Sequence, residues 1–226
     1  MREFLASEAL HHLGIPTSRA ASLIVSDDTK VQRDKLYTGK VEEEKTAVVM
    51  RVAPTFMRFG SFEIFHHIDE VTDRGGPSAG LKNEMMPAML NYVIDNFYPE
   101  LKDSSEKTKY QAFFEEIVNR TMKTAALWQA HGFCHGVLNT DNMSVLGLTI
   151  DYGPFAFMEH FDLNYICNHS DHNGRYKYEQ QPAICMWNLD QLAQALDPIV
   201  PVKESIEYLK QHHSKIYIEE YASRMY

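Results

Sequence analysis

Cysteine is scarce in this chain, and its pattern excludes a disulfide framework. Cys134, Cys167 and Cys185 are an odd number with no Cys-x-x-Cys spacing, as expected of free thiols in a reducing compartment. Long apolar runs are missing too, and none approaches the ~20 residues a membrane-spanning helix needs. Positive charge is in deficit: 22 Lys and Arg stand against 31 Asp and Glu, for a net charge of −9. That deficit argues against nucleic acid or an anionic membrane as a partner, since both call for a basic surface. It leaves room for a nucleotide, whose phosphates need only a local basic cluster and a metal. Zinc-type spacing is absent: His11-His12, His66-His67, and His131 with Cys134-His135 complete no tetrahedron. Met1-Arg2-Glu3-Phe4-Leu5 lacks the marks of a signal peptide or of an Arg- and Ser-rich transit peptide, and reads as the interior of an amphipathic helix. Internal repeats and low-complexity segments are missing as well. What is present, 226 residues with 44% hydrophobic and 23% charged content, is the composition of an ordinary globular protein of one or two domains.

The chemistry-bearing groups gather in residues 131–162, HGFCHGVLNTDNMSVLGLTIDYGPFAFMEHFD. Asn139-Thr140-Asp141-Asn142 is turn-like, because Asn, Thr and Asp side chains bond their own backbone. Val145, Leu146, Leu148 and Ile150 then read as a short buried strand, stopped by Asp151-Tyr152-Gly153-Pro154. A carboxamide on one loop and a carboxylate just past the next strand is how phosphoryl-transfer sites of the kinase type hold Mg²⁺, a hard cation that prefers oxygen ligands. Asn142 and Asp151 are therefore candidate metal ligands. Capping of local turns is the alternative for the same residues.

Against the protein-kinase pattern H-R-D-x-x-x-x-N followed by D-F-G, His135-Gly136-Val137 lies at H-R-D, Asn142 at the metal-binding Asn and Asp151-Tyr152-Gly153 at D-F-G. Val137 takes the place of the catalytic Asp, which leaves Asp141 as the only nearby carboxylate able to substitute. The pattern is that of a pseudokinase, and it disfavours ordinary γ-phosphoryl transfer.

Three stretches, HGVLNTDNMSVLGLTIDYGPFAFM, REFLASEAL and RVAPTFMRFGSFEIF, closely resemble the selenoprotein O family of protein adenylyltransferases, and the resemblance covers nearly the whole chain. It implies an α+β, protein-kinase-like fold, with a partial small lobe over residues 1–65 and a mainly helical large lobe over 66–226. It also implies ATP bound in a flipped orientation with Mg²⁺ or Mn²⁺, and transfer of AMP to Ser, Thr or Tyr hydroxyls of protein substrates. By residue, Asp141 resembles the family's proton acceptor, Asn142 and Asp151 its metal ligands, and Arg51 and Arg58 its phosphate contacts. Glu3 falls where a helix Glu pairs with a nucleotide-binding Lys. The family's Gly-rich segment, that Lys and an Asp-Gly pair belong upstream of Met1, and the family is longer at its C-terminus, so the chain is expected to be a fragment or truncated product. In a eukaryote the resemblance implies a mitochondrial location, and otherwise a cytoplasmic one. A truncated, non-catalytic nucleotide-binding or scaffold module is the alternative, because Glu3 would lack its Lys.

The remaining expectations are local. Residues 2–13 form a helix with Phe4, Leu5, Ala9 and Leu13 on its inner face. Strands are expected over 20–25 and 47–53, flanking a solvated loop over 27–45. Arg51 and Arg58 flank Pro54, and a planar guanidinium pair suits phosphate oxygens; pairing with a carboxylate such as Glu63 is the alternative. Residues 73–80 read as a linker rather than a phosphate cradle, because Pro77 removes an N–H. A helix from Leu81 carries Met85, Met89, Tyr92 and Val93 on one face, and Pro99 ends it. The long helix over 105–130 repeats Tyr110, Phe113, Phe114, Ile117, Val118, Thr121, Ala125 and Trp128 at helical steps, the mark of a central core helix. Residues 164–181 are irregular, and helices follow from Trp187 and over 205–226.

Overall fold

A computed structural model describes residues 1–34, 39–66, 75–102 and 105–225. His67 of the histidine pair, with Asp73 and Arg74 of the glycine-containing loop, lies outside the described residues. The architecture is α+β, with helices dominating and two small antiparallel sheets. Helix α1 (Arg2–His12) leads into a long hairpin of β1 (Arg19–Arg33) and β2 (Glu42–Val52). One turn, α2 (Gly60–Glu63), precedes α3 (Lys82–Phe97) and α4 (Glu106–Ala130). The two-residue strands β3 (Phe133–Cys134) and β4 (Ala156–Phe157) pair across the loop region, and α5 (Gln181–Leu196) and α6 (Val202–Met225) close the chain.

Helix α4 has the core role its periodicity predicts. Phe113, Phe114, Ile117 and Val118 have no exposed surface, and Tyr110, Thr121, Ala125 and Trp128 are buried with them. Helices α5 and α6 pack against it. Leu10, Phe59, Phe62, Leu90, Leu192 and Leu209 belong to the same buried cluster.

Several expectations are corrected. The inner face of α1 is Ala6, Ser7 and Leu10, whereas Leu5 and Leu13 are 58% and 42% exposed. The inward stripe includes polar Ser7, whose hydroxyl is satisfied by the Phe4 carbonyl at 3.0 Å. Hydrophobicity alone therefore points to the wrong side. Helix α3 differs in the same way: Met86, Leu90, Val93 and Ile94 are buried, while Met85 and Tyr92 face out. The expected loop over 27–45 is largely strand. Past an irregularity between Val25 and Lys30, β1 and β2 continue to pair through Arg33 and Glu42, with Lys30 Nζ 2.8 Å from Glu43 and Lys45 paired with Asp27. Polar cross-strand pairs hold a ribbon that has no buried face. Helix α5 begins at Gln181, ahead of Trp187, with Pro182 in its first turn, where a missing N–H is harmless. Helix α6 likewise begins at Val202, just after Pro201.

Residues 145–150 form no strand. Gly147 turns the run at φ +69, its N–H bonding the Ser144 carbonyl at 3.0 Å. The backbone groups around it are satisfied one by one. The Tyr98 hydroxyl donates to the Val145 carbonyl and Thr124 Oγ1 to Gly147 at 2.8 Å, while the Val145 N–H reaches Met57 at 3.1 Å and the Thr149 N–H reaches Pro16 at 2.8 Å. A run whose polar groups find partners on several elements has no need of a ladder.

Candidate functional site

Residues 57–61 lie along residues 143–145. The Phe59 N–H donates to the Met143 carbonyl at 2.9 Å, and Arg58 bridges to Ser144. Phe59 and Phe62 anchor the segment in the core with no exposed surface, so Arg58 is aimed rather than free. It donates from Nη2 to Asp151 Oδ2 at 2.6 Å. Arg51, near the end of β2, donates to the other oxygen, Asp151 Oδ1. One carboxylate is thus held by two guanidiniums that lie 100 and 93 residues before it in the sequence. Burial works against the Arg51 charge, but the hydrogen bonds and negative charges of Asp151 and Glu3 together outweigh it and hold that guanidinium above its ordinary range. Both arginines thus pair with a carboxylate, as the alternative expected, but the one they share is Asp151 rather than Glu63.

Asp151 has φ +61, a left-handed conformation unusual for a residue with a side chain. Three contacts hold the backbone around it. His135 Nε2 lies 2.8 Å from the Ile150 carbonyl, the Tyr152 N–H donates to Glu3 Oε2 at 2.9 Å, and the Tyr152 hydroxyl bonds Thr17 Oγ1. Glu3 Oε1 also lies 3.4 Å from Arg51. Glu3 therefore ties α1 to both the Asp151 segment and an arginine. Arg2 adds a second tie, from Nη2 to the Phe155 carbonyl at 2.5 Å.

His135 is fully buried, and burial pushes its pKa below the usual histidine value. A neutral ring with Nε2–H donating to Ile150 leaves Nδ1 to accept the Val137 N–H, 3.4 Å away. The Val137 carbonyl in turn accepts from Asn142 Nδ2 at 2.8 Å. Asn142 and the Asp151 segment thus hang on the same three residues, 135–137. Fixing the Asn142 amide nitrogen leaves its oxygen with no hydrogen bond among the described residues. Asp141, beside it in the turn Thr140–Asn142, is exposed, and its carboxylate has no ion pair or hydrogen bond among the described residues. Glu3, Val49, Arg51, Asp151, Tyr152 and Gly153 line one open cleft.

The family model described as protein adenylyltransferase SelO matches residues 1–226. The chain belongs to the SelO family. It is 52% identical over its whole length to the zebrafish (Danio rerio) protein adenylyltransferase SelO-1, mitochondrial, covering 32% of that protein. It is 50% identical over its whole length to the mouse (Mus musculus) protein adenylyltransferase SelO, mitochondrial, covering 34%. A bacterial relative, the protein nucleotidyltransferase YdiU of Variovorax paradoxus, is 46% identical over all of this chain, which covers 42% of it. The chain spans about a third of the length of the animal relatives it matches.

In this SelO-family chain, Arg51, Arg58, Asp151 and Glu3 come together in direct contact, and Asn142 joins them through Val137 and His135. Asp141 stands by Gly60 at the start of α2. Sequence reasoning assigned no role to Thr17, Tyr152, His135 or Gly60. His135 carried a signal, as the first residue of the kinase-type triplet; Thr17 and Gly60 are brought in only by the fold. Among the described residues no group of three or more His, Cys, Asp or Glu side chains gathers. A two-ligand site completed by phosphate oxygens is compatible with that. No described helix is long and apolar enough to cross a membrane.

Proposed function

We propose that this chain carries the nucleotide and metal site of a protein-kinase-like adenylyltransferase that transfers AMP from ATP to Ser, Thr or Tyr hydroxyls of proteins, with ATP in the flipped orientation. Residues 1–65 would form part of its small lobe and residues 66–226 its helical large lobe. The observation that carries the reading is the double arginine grip on Asp151. Arg51 and the candidate metal ligand Asp151 line one cleft, and Arg58 holds the other oxygen of the same carboxylate.

The donor set fits the groups implied. The Asn142 amide oxygen and the Asp151 carboxylate are hard oxygen donors suited to Mg²⁺ or Mn²⁺. Arg58 Nε is buried without a hydrogen-bond partner, a donor that a phosphate oxygen would satisfy. A divalent cation held by Asn142 and Asp151 would supply charge neutralisation at the phosphates. Arg51 and Arg58 would exchange Asp151 for phosphate oxygens and hold the triphosphate in place. Glu3 and His135 would keep the Asp151 backbone fixed during that exchange. Asp141, whose carboxylate has no partner among the described residues, would accept the acceptor hydroxyl's proton as the hydroxyl oxygen bonds the α-phosphorus. The bond between the α-phosphorus and the bridging oxygen to the β-phosphate then breaks, and pyrophosphate leaves. In a eukaryote this chemistry would take place in mitochondria.

Calorimetry on the wild-type chain and Asp151→Ala tests the site. The reading predicts ATP binding that needs Mg²⁺ in the wild type and is weakened about tenfold or more in the variant, the scale of a lost charged contact. Equal, metal-independent affinity in both would remove Asp151 from the site.

A further inference from the structure

Gly60 is the first residue of the one-turn helix α2, a place that most residue types can fill, so a glycine there calls for a reason. Its backbone supplies none. Phe59 before it is right-handed at φ −56, and Gly60 is not among the glycines with positive φ. The reason is space. A Cβ built on Gly60 overlaps Asp141 Oδ1 and falls 3.3 Å from Asp141 Cγ.

Neither backbone is free to yield. Ahead of Gly60, the Phe59 N–H is bonded to Met143 at 2.9 Å and Arg58 is bridged to Ser144; just beyond it, Phe62 is fully buried. On the facing turn, the Asn142 N–H is bonded to Asn139 at 3.0 Å and its side chain to Val137 at 2.8 Å. The movable part is the Asp141 side chain, which no other hydrogen bond or ion pair among the described residues directs. We propose that Gly60 is a positioning residue for Asp141. Its missing side chain leaves the space in which the carboxylate stands towards the acceptor hydroxyl, and any side chain there turns the carboxylate away. This rests on Asp141 being the proton acceptor.

The test is a double-mutant cycle on the protein with Gly60→Ala, Asp141→Ala and the pair together. It follows transfer of α-labelled AMP to the chain itself and to dephosphorylated casein. Gly60→Ala is expected to lower kcat about tenfold or more, part of the range a general base supplies, with KM for ATP held within about twofold. Added to Asp141→Ala, it is expected to change kcat by less than about twofold, because nothing remains to displace. A readout independent of turnover is the side-chain carboxyl ¹³C resonance, expected to move for Asp141 and stay for Asp151 in Gly60→Ala. Wild-type kcat in Gly60→Ala, a full additive loss in the pair, or an unmoved Asp141 resonance overturns the Gly60 proposal and leaves the Asp141 reading standing. Wild-type kcat in Asp141→Ala overturns the proton-acceptor reading, and the Gly60 proposal with it.

Discussion

Asp151 shows how much surrounding structure a single left-handed residue with a side chain needs. Its left-handed backbone is costly for a residue with a Cβ, of order 1–3 kcal/mol, and is held by His135 on one side and by Glu3 and Thr17, through Tyr152, on the other. His135 gives this scale its pH prediction. Its folded-state pKa lies below the free value of 6.5 because it is buried, so the unfolded chain takes up the proton first as pH falls. The stability tied to the neutral ring is present above about pH 6.5 and is lost progressively below it. Urea unfolding at pH 7.5, 6.5 and 5.5 should therefore show a steeper decline in the wild type than in His135→Asn; parallel declines would mean that the ring is not held neutral. At this scale the candidate residues were legible in the sequence, because Asp141, Asn142 and Asp151 sit in one short run whose spacing has a chemical meaning. Gly60 and Thr17 were not legible. Their roles depend on what lies beside them in space, and neither residue type announces a partner.

Among the elements, the segment over 57–61 matters most, since it converts core packing into aim. Phe59 is fully buried, and the residue before it, Arg58, bonds Asp151. Phe59→Ala is expected to cost about 3–5 kcal/mol of stability and also to weaken ATP binding, because the arginine loses its fixed approach. Unfolding curves paired with calorimetry check both, and unchanged ATP affinity in a folded variant would show that Arg58 is aimed by something else. Elements were legible where apolar spacing was long and uninterrupted, as in α4. In α1 and α3 the inner face was misread. Ser7 lies inward on α1 in place of an apolar residue, and exposed Met85 and Tyr92 imitate a core stripe on α3. The run over 145–150 looked like a strand because it is apolar, but its backbone is satisfied by Tyr98, Thr124, Met57 and Pro16. Such tertiary hydrogen bonds leave no periodic trace.

The molecule as a whole carries a net charge of −9, yet two arginines are concentrated on one carboxylate. Asp151 and Glu3 offset those two arginines, so the site is not basic on balance, and a phosphate bound there would call for a cation beside it. The proposal that AMP, carrying the α-phosphate of ATP, is the group transferred rests on the family's description as adenylyltransferases, whereas the arginine grip bears only on phosphate binding. Incubating the chain with Mg²⁺ and ATP labelled on the α- or the γ-phosphate, beside an Asp151→Ala control, tests that claim most directly. The account predicts protein-bound label from the α position, none from the γ position, and none in the control. Label from the γ position, or no Asp151-dependent label from either, would contradict it.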